Sequence, residues 1–578
     1  CGDLRMSYAQ LEALAYGVVE LLRDSGVRAG DVVPLCLPRS PRLVAAELAV
    51  LALGATYAPI DQASPPARRR AMLDVLPARH VALVEGPAGD ELLGWTAVDV
   101  TRAQPLTRGA LRWSSPAPAP AYVMFTSGST GVPKAVQAPR AGIERLVVDP
   151  DYVALSPDAR WAFLSSPAFD ASTLEVWAPL ASGATCVISE AATPSLETLA
   201  SWLRDARITE AWLTSALFNA LVEDRPDALA GLRQLLIGGE RLSPRHVAAA
   251  QAAHPALRLI NGYGPTENTT FSTCHPIGAE DLRAASAGHG IPIGRPIRGS
   301  TARVGPDDGE RGELWVGGLG VAHGYLGDPA LTAQRFVEHA GQRWYRTGDL
   351  VQRRADGVLE YLGRADRQVK LSGHRVELDE VEHTLRACPG VSEVVVEVVG
   401  EEAHARSLTA YYTALDGAPT AAELGAFAAR HLPAAAIPRR LVQLEQLPRS
   451  ASGKIDRAEL RAQAAALPPV PAWTSTLERG LADLWSRCLG VPVNSPAESF
   501  VELGGTSLGA LRVAGLVQRR LGRRISPIDV LRVPVLADQA RLVERAPLAS
   551  LLPEPTEGRP LLSERQQATL RISALDPT

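Results

Sequence analysis

Aromatic residues are scarce in this chain, and positive charge is not in excess. Phe, Trp and Tyr make up only 5% of the 578 residues, which leaves few side chains for a broad surface on which nucleic-acid bases could stack. The 59 basic residues are outnumbered by 63 acidic ones, so the formal net charge is −4. A protein that binds nucleic-acid phosphates needs a basic excess. The composition therefore argues against a nucleic-acid partner.

Cysteine is also infrequent, and its spacing is not typical of a metal site. The six cysteines include no CxxC pair and no zinc-finger spacing; they are Cys1, Cys36, Cys186, Cys274, Cys388 and Cys488. We interpret them as small apolar residues, buried in a protein of a reducing compartment.

No segment is typical of a signal peptide or a transmembrane helix. The first residues, CGDLRMSYAQL, lack a charged leader followed by an apolar core. The best candidate for a membrane span, Leu43–Ile60, is interrupted by Glu47, Gly54 and Pro59, whereas a span needs about 20 nearly uniform apolar residues. We interpret it as a buried helix and strand. The sequence predicts a cytoplasmic protein without a membrane partner.

Length and hydrophobicity indicate a multidomain globular protein. At roughly 150 residues per domain, the chain corresponds to about four units. Hydrophobic residues make up 46% and charged residues 21%, which argues against wholesale disorder. Helical patterns at Leu11–Leu22 and Leu43–Leu51 alternate with strand patterns at Val32–Leu37 and Tyr122–Phe125. Such alternation predicts parallel sheets covered by helices.

Two boundaries divide the rest of the chain. Gly363–Gly373 follows a strand-like segment, Val358–Leu362. The patterns after it are short and predict a small α+β lobe; they are a helix at Leu378–Cys388 and strands at Val394–Val399 and Leu408–Leu415. The second boundary is Leu467–Trp473 (LPPVPAW), whose prolines predict an extended, semi-rigid linker.

The segment after this linker has the pattern of a helical bundle. Ser475 and Glu478 form an S-x-x-E capping box before a helical repeat that Gly490 ends. A further helix is predicted over Ser507–Leu521. Residues 474–545 are therefore expected to form a compact all-α domain.

A loop rich in hydroxyl groups and glycine is the first candidate site. The sequence TSGSTGVPK places Lys134 eight residues after Thr126. Glycines let the backbone turn so that N–H groups converge on an anion, and the hydroxyls and the lysine add donors and charge. This chemistry suits a nucleotide polyphosphate, although the loop does not have Walker A spacing. A solvated flexible loop is the alternative. The candidate phosphate-binding residues are Thr126, Ser127, Gly128, Ser129, Thr130, Gly131 and Lys134.

That loop and eight further motifs resemble adenylate-forming enzymes, in the version found in adenylation domains of nonribosomal peptide synthetases. The motifs occur in the family's order and span residues 6 to 457. The other eight are Met6–Leu11, Leu53–Asp61, Phe169–Ser172 (FDAS), Asn261–Glu267 (NGYGPTE), Gly312–Leu326, Tyr345–Leu350 (YRTGDL), Gly363–Glu382 and Pro448–Arg457 (PRSASGKIDR).

The resemblance implies a large α/β adenylation core of sheets covered by helices, a small mobile α+β lobe and an all-α four-helix-bundle carrier domain. Two positions depart from the family pattern, Ala135 after the loop lysine and Leu432–Pro438 at the ninth motif, but neither removes a charged or catalytic group. An N-terminal segment is expected to be missing. The implied domains are residues 1–365, 366–462, 463–473 (linker), 474–545 and 546–578 (tail).

The resemblance also implies how ATP and Mg²⁺ are bound. Asp349 is expected to accept hydrogen bonds from both ribose hydroxyls, Tyr263 to lie against the adenine, and Glu267 to bind Mg²⁺, which prefers carboxylate oxygens. A turn residue at position 349 and a helix-start carboxylate at position 267 are the alternatives. Further expected ATP-binding residues are Gly238, Gly239, Glu240, Arg241, Asn261, Gly262, Gly264, Thr266 and Arg364.

Lys454 is implied as the catalytic side chain. A cation there would stabilise negative charge as a substrate carboxylate attacks the α-phosphorus of ATP; a surface lysine is the alternative. Because Lys454 lies on the small lobe, the family's mechanism moves it by a hinge, expected near Asp366 or Lys370. One lobe orientation forms the adenylate and the other admits a thiol.

Ser507 is the expected attachment site of 4′-phosphopantetheine. Glu498–Leu508 (ESFVELGGTSL) resembles the carrier-protein signature, in which a serine follows two glycines and begins a helix. The usual Asp and His or Asp are replaced by Glu498 and Thr506. A helix-capping serine is the alternative. A phosphopantetheinyl transferase is an implied partner.

The family's specificity pocket carries over to ten positions: Asp170, Ala171, Leu174, Trp212, Leu236, Gly238, Gly262, Thr270, Phe271 and Lys454. Asp170 is expected to pair with an α-ammonium group and Lys454 with the carboxylate, which implies an α-amino acid. The apolar remainder resembles valine-activating domains. L-Valine is predicted, with isoleucine or 2-aminobutyrate next.

Two other functions remain open from the sequence. One is an acyl- or aryl-CoA ligase of the same superfamily, and the other is an inactive scaffold. Neighbouring synthetase domains, such as condensation domains, are expected partners, as is an MbtH-like helper. Leu561–Leu570 resembles the opening of a condensation domain. A peptide antibiotic or other secondary metabolite is the implied product.

Overall fold

The computed structural model describes most of residues 1–463 and most of residues 473–547. The described residues are 2, 4–62, 64–77, 81–86, 89–92, 94–107, 120–127, 132–190, 196–286, 290–371, 374–399, 407–414, 419–449, 455–457, 459–460, 463, 473, 475–489, 493, 495–500, 503 and 507–547. They separate into two compact units, Cys1–Pro468 and Pro469–Thr578.

The first unit contains two seven-stranded sheets. The strands of the first sheet, in spatial order, are Gly324–Tyr325, Lys134–Pro139, Pro120–Thr126, Thr56–Pro59, Val32–Cys36, Val81–Val84 and Thr96–Asp99. Those of the second are Arg295–Pro296, Thr273–Pro276, Arg258–Tyr263, Gln234–Gly238, Glu210–Thr214, Arg160–Phe163 and Thr185–Ile188. Five neighbouring strands in each sheet are parallel, and the remaining two strands add antiparallel.

Helices cover these sheets, as the alternating sequence pattern predicts. The α-helices of this part are Tyr8–Asp24, Pro41–Ala52, Pro66–Val75, Arg140–Val147, Ala171–Ser182, Leu196–Asp205, Ser215–Asp224, Pro244–Ala253, Ala279–Ser286 and Pro329–Arg335. Short 3₁₀ turns lie at Asp90–Leu92, Val100–Arg102, Pro226–Leu229 and Thr266–Asn268.

One apolar cluster joins both sheets. It contains Val33 and Tyr57 from the first sheet, Trp161 from the second, and Val50 and Leu174 from two helices. The interrupted stretch Leu43–Ile60 lies in this region as a buried helix and strand, as predicted. The structure contains no described helix long and apolar enough to span a membrane.

A third, antiparallel sheet leads to the small lobe. Its strands are Ser300–Val304, Arg311–Gly318, Gln342–Arg353 and Phe336–His339, with Leu359–Arg364 paired to Gln342–Arg353. The hairpin Gln368–Leu371/His374–Glu377 follows directly.

The small lobe has the expected α+β composition. Its sheet consists of Val391–Val399, Ser407–Ala414 and Arg440–Gln443, and its helices are Leu378–Arg386, Ala421–His431 and the 3₁₀ turn Ala434–Ala436. The predicted elements are confirmed, with ends that differ by one to three residues.

The described part of the second unit forms the four-helix bundle that the resemblance implies. Its helices are Thr476–Leu489, Ser507–Leu521, Pro527–Arg532 and Leu536–Arg545. Ser475 Oγ accepts a hydrogen bond from the Glu478 backbone N–H at 3.1 Å, as the capping pattern predicts. The core packs around the Trp485 ring, which meets Phe500 edge to face at 5.1 Å and donates to Gln539 at 2.9 Å.

The expectation that all cysteines are buried is only partly correct. Cys274 and Cys388 are buried, whereas Cys36, Cys186 and Cys488 are half-buried at the edges of their packing clusters. None of these five described cysteines forms a disulfide. Cys1 lies outside the described residues.

Candidate active site

A cavity of about 460 Å³ lies where strands of the second sheet end. The parallel strands Gln234–Gly238 and Arg258–Tyr263 finish side by side, with Gly238 opposite Gly262. Crevices at the carboxyl ends of parallel strands are common ligand sites. The predicted site residues that line the cavity are Asp170, Ala171, Trp212, Gly239, Glu240, Arg241, Asn261, Gly262, Tyr263, Gly264, Thr266, Thr270, Phe271, Asp349, Arg364 and Lys370.

Asp349 forms a polar corner of this cavity. One carboxylate oxygen accepts a hydrogen bond from the Tyr263 hydroxyl, and the other pairs with Arg364 Nη1 at 2.7 Å. Arg364 also pairs with Asp366 at 2.7 Å. Three residues assigned to nucleotide binding are therefore in direct contact. Each carboxylate oxygen has a second lone pair that can still accept from a ribose hydroxyl.

Glu267 lies fully buried beneath the cavity, in the turn Thr266–Asn268. Its carboxylate pairs with both Arg375 (2.7 Å) and the Tyr325 hydroxyl (2.8 Å). Burial alone raises the pKa of a carboxyl group, but here the Arg375 charge and the Tyr325 hydrogen bond outweigh it, and the pKa of Glu267 is lowered. Glu267 is therefore an anion at neutral pH.

The candidate phosphate-binding loop connects two neighbouring antiparallel strands. Thr126 ends one strand and Lys134 begins the next, directly opposite it. Lys134 Nζ pairs with Glu377 at 2.8 Å, and Ser127 Oγ donates to the Arg375 carbonyl at 2.9 Å. Four predicted loop residues, Gly128, Ser129, Thr130 and Gly131, lie outside the described residues.

The hairpin Gln368–Leu371/His374–Glu377 contacts Tyr263, Glu267 and Lys134. Lys370 and Arg375 face each other across its two strands, as do Gln368 and Glu377. Lys370 Nζ lies 5.5 Å from the centre of the Tyr263 ring, and burial lowers the pKa of this lysine. Lys370, expected as a hinge residue, thus lies in a strand within the cleft, whereas Asp366 lies between this strand and the preceding one, Leu359–Arg364.

The sequence motifs pointed to no role for Arg375 or Glu377. The signal that could have found them is strict alternation: Val369, Leu371 and Val376 pack into the lobe core, which turns the polar residues between them toward the cleft. Which core residues those side chains meet depends on how the lobe is oriented, and no local pattern specifies that orientation.

The predicted specificity residues form one end of the cavity. Asp170 begins helix Ala171–Ser182, and burial raises the pKa of its carboxyl to about 6. The Phe271 ring packs directly on Gly262, where a Cβ would lie 2.6 Å from the ring. Leu174, Leu236 and Gly238 do not line the cavity; the two leucines are fully buried in the packing behind it.

Trp212 contributes an unusual polar group to this pocket. Its side chain is 5% exposed, and its indole N–H has no hydrogen-bond partner among the residues described. The indole nitrogen lies 3.6 Å from where a Cβ at Gly238 would stand. The Phe169 ring packs beside it, with 5.5 Å between ring centres.

Lys454 lies outside the described residues, but its neighbour Ile455 is placed. Ile455 packs with Val395 and Tyr411, on one face of the lobe sheet. Leu371 and Val376 of the hairpin pack with the opposite face. The hairpin therefore fills the cleft from one side of the lobe sheet, and Ile455 belongs to the other side.

Ser507 begins the helix Ser507–Leu521, as predicted. Its side chain and Thr506 lie outside the described residues. No described group of three or more His, Cys, Asp or Glu side chains is arranged to hold a metal ion on protein ligands alone. A metal bound by one carboxylate and nucleotide phosphates needs no such group.

Three family models match the chain. The model of the AMP-binding enzyme family matches residues 1–326, and the model of the AMP-binding enzyme C-terminal domain matches residues 380–454. The model of the phosphopantetheine attachment site matches residues 479–543.

Curated relatives are large synthases. Tyrocidine synthase 3 of Brevibacillus parabrevis is 37% identical over 89% of this chain, and gramicidin S synthase 2 of Brevibacillus brevis is 35% identical over 94%. The chain spans only 8% and 12% of the lengths of these two proteins.

A solved structure has the same two-part organisation. It is a holo NRPS protein containing adenylation and PCP domains, bound to a vinylsulfonamide inhibitor. It is 34% identical, the TM-score is 0.74, and the match covers 94% of this chain and 92% of that one. The chain thus belongs to the AMP-binding enzyme family, as a nonribosomal peptide synthetase adenylation domain fused to a phosphopantetheine carrier domain.

Proposed function

We propose that this chain activates an α-amino acid with ATP and loads it onto its own carrier domain. In the first step a carboxylate oxygen attacks the α-phosphorus, the bond to the β-phosphate breaks, and pyrophosphate leaves. In the second step a thiol attacks the carbonyl carbon and AMP leaves. The observation that carries the proposal is a single cleft that joins Asp170, Asp349 and, through Arg375, Glu267.

The Asp349 corner would hold the nucleoside. Tyr263 offers a ring face to the adenine, and the free lone pairs of Asp349 can accept from the two ribose hydroxyls. Arg364, already paired with Asp349, places a permanent positive charge beside the ribose and phosphates. Lys134 would contact the phosphates once its pair with Glu377 opens.

Glu267 fits the role of a Mg²⁺ ligand. Its carboxylate is buried, ionised and held by a cation that belongs to another element, so a divalent cation can replace Arg375 without leaving the carboxylate unpaired. When bound, Mg²⁺ would neutralise charge on the phosphates. The side chain of Glu267 itself is fixed by the Tyr325 hydroxyl.

Lobe movement would separate the two steps. In this structure Arg375 pairs with Glu267, the proposed Mg²⁺ ligand. Glu377 pairs with Lys134, the proposed phosphate-binding lysine. The hairpin and Mg²⁺–ATP therefore compete for the same two side chains. This arrangement suits the step after pyrophosphate has left. For adenylate formation the lobe would rotate about the segment near Asp366 and withdraw the hairpin, and Lys454 would enter the cleft.

Asp170 would bind the substrate ammonium, and Lys454 the carboxylate. We propose L-valine as the amino acid, because the other described specificity positions that line the cavity, Ala171, Trp212, Gly262, Thr270 and Phe271, carry no charge, and Trp212 and Phe271 restrict the volume. Isoleucine and 2-aminobutyrate should compete, since a methylene in an apolar pocket changes binding by only about 1–3 kcal/mol.

Threonine belongs in the same comparison. It has nearly the shape of valine, and its hydroxyl could accept the unpaired Trp212 N–H. A buried donor that gains a partner contributes about 0.5–1.5 kcal/mol, while burying a hydroxyl in an apolar wall opposes this gain.

The carrier domain would receive the product. A phosphopantetheinyl transferase would attach the cofactor at Ser507, where the helix N-terminus favours a phosphodiester. Neighbouring synthetase domains such as condensation domains would consume the thioester in the cytoplasm, and an MbtH-like protein is a further partner to test. The sites at Lys454 and Ser507 are proposals from the family pattern.

Amino-acid-dependent exchange of labelled pyrophosphate into ATP tests the activation step. The full chain should exchange most rapidly with valine among valine, isoleucine, 2-aminobutyrate and threonine. Exchange only with acids that lack an amine would indicate a coenzyme A ligase. No exchange with any acid by folded protein would indicate a scaffold.

A further inference from the structure

Arg145 is a buried cation held by backbone carbonyls. It lies in helix Arg140–Val147 and is 5% exposed, and burial lowers the pKa of its guanidinium to about 10, so it stays charged at neutral pH. Among the described residues it forms no ion pair with a carboxylate. Instead Nη2 donates to the carbonyl oxygens of Asn268 and Thr269, the latter at 2.8 Å, and Nη1 donates to Ser300 Oγ.

The carbonyls that Arg145 binds belong to an unusual turn. Thr269 and Thr270 have φ values of 48° and 63°, a left-handed conformation that β-branched residues rarely adopt. Such a conformation persists only where the surroundings impose it. Thr269 Oγ1 donates to the Gly320 carbonyl and Thr270 Oγ1 donates to the Asp170 carbonyl, each at 2.8 Å.

This turn connects the two halves of the candidate site. Glu267, the proposed metal ligand, directly precedes it within the same segment. Thr270 and Phe271 at its other end line the cavity, and the Phe271 ring rests on Gly262. A shift of the turn would therefore move a wall of the amino-acid pocket.

Two glycines pack closely against the Arg145 guanidinium and the turn. A Cβ at Gly320 would lie 2.3 Å from Arg145 Nη2, and a Cβ at Gly142 would lie 2.4 Å from Thr269 Oγ1. Both separations are far below van der Waals contact, so a side chain at either position would displace Arg145 or Thr269. The position of Arg145 is thus fixed on several sides.

We propose that Arg145 is a positioning residue for amino-acid selection. It touches neither the nucleotide corner nor the pocket; it holds the turn Asn268–Thr270, and through it Thr270 and Phe271, in the shape that fits the substrate side chain. This inference rests on the proposed amino-acid activation.

The test compares the selectivity of Arg145→Met with that of the unaltered chain. The readout is the ratio of kcat/KM for valine to that for isoleucine in the exchange assay, because this ratio does not depend on the fraction of folded enzyme. A loosened pocket wall should lower the ratio by about fivefold or more, within the range that one methylene can supply. Arg145→Lys should recover part of it, and the KM for ATP should change by less than about twofold.

Arg140→Met is the matched control. Arg140 lies in the same helix and donates to the Leu51 carbonyl at 3.1 Å, away from the turn. Its selectivity ratio should equal that of the unaltered chain. A lower overall rate in Arg145→Met with an unchanged ratio would overturn the proposal.

Gly320→Ala keeps the proposal testable if Arg145→Met does not fold. This change retains the arginine but crowds its Nη2 atom, and it should lower the same ratio; an unchanged ratio in a folded protein would overturn the inference. If the unaltered chain shows no exchange with any amino acid, the proposed function itself fails, and that result is distinct from either outcome.

Discussion

At the scale of single residues, Asp170 combines burial with a charge that the proposed reaction needs. It is 7% exposed and has Thr266 as a hydrogen-bond partner. Burial raises the pKa of its carboxyl to about 6, with the nearby charge of Glu267 adding to the increase. Lys370 and Arg375 oppose this increase, and the ammonium group of a bound amino acid would add a further positive charge beside the carboxylate.

The pH dependence of substrate use should report this carboxyl. Because the pKa of Asp170 is raised to about 6, the ionised form dominates above pH 6 and the neutral form below it. Only the ionised form can pair with an ammonium group. The kcat/KM for the amino acid should fall about tenfold per pH unit below pH 6. A flat profile down to pH 5, with the protein still folded, would contradict this role.

Asp170→Asn should separate charge from shape. The amide nearly matches the carboxyl in size but leaves a bound ammonium without a counter-ion. Removing one partner of a buried ion pair costs about 3–5 kcal/mol, so kcat/KM for the amino acid should fall at least 100-fold. The KM for ATP should be retained. An equal loss for both substrates would show that the change damages the whole site.

The sequence predicted residues that meet in one cleft, but it did not predict all of their partners. Asp349, Tyr263 and Arg364 were assigned to one ligand from the family pattern, and they contact one another. Arg375 and Glu377 were missed, because their partners lie more than 100 residues away and depend on the lobe orientation. Buried cysteines were overpredicted for a related reason: composition does not tell which residues lie at the edge of a cluster.

At the scale of elements, the hairpin Gln368–Leu371/His374–Glu377 is the part of the small lobe that meets the core. Its apolar residues pack into the lobe, and its charged residues reach Glu267 and Lys134. A separate buried pair, Arg68 with Glu380, connects helix Pro66–Val75 to helix Leu378–Arg386. Together these contacts stabilise one orientation of the lobe.

Arg375→Ala should weaken that orientation selectively. Adenylate formation requires the hairpin to leave Glu267, so pyrophosphate exchange should change by less than about threefold. In the proposed mechanism, transfer to the carrier thiol uses the orientation of this structure. It should therefore slow about tenfold or more, which corresponds to roughly 1.4 kcal/mol. Single-turnover loading measured beside exchange gives both rates.

Arg386→Ala is the control for this prediction. Arg386 lies in the same lobe and donates to the Val394 carbonyl at 3.4 Å, within the lobe itself. Both rates should stay near those of the unaltered chain. Equal slowing of exchange and loading in Arg375→Ala would contradict the assignment of this orientation to the second step.

At the scale of the whole molecule, the fold followed from sequence more fully than the site did. Alternating patterns predicted helix-covered parallel sheets, and both seven-stranded sheets contain five parallel strands in a row. The helical repeat after the proline-rich segment predicted the carrier bundle, and the chain forms two compact units, Cys1–Pro468 and Pro469–Thr578. Local periodicity specifies such elements, whereas the lobe orientation results from a few ion pairs between distant residues.

Lys454→Ala tests whether the lobe carries the chemistry of the first step. The first step should slow by at least about 100-fold, as expected for loss of a charge that stabilises the transition state. Thioester formation from synthetic aminoacyl adenylate should persist. Exchange at the rate of the unaltered chain would refute the proposed catalytic role of Lys454.

The most direct measurement of the central claim is the intact mass of the phosphopantetheinylated chain after incubation with ATP, Mg²⁺ and valine. We expect one added aminoacyl group on the unaltered chain, which a reagent that cleaves thioesters should release. We expect none on Ser507→Ala. Ser507→Ala should still support pyrophosphate exchange. An aminoacyl group retained on Ser507→Ala, or no added mass on the fully modified chain with any amino acid, would contradict the claim.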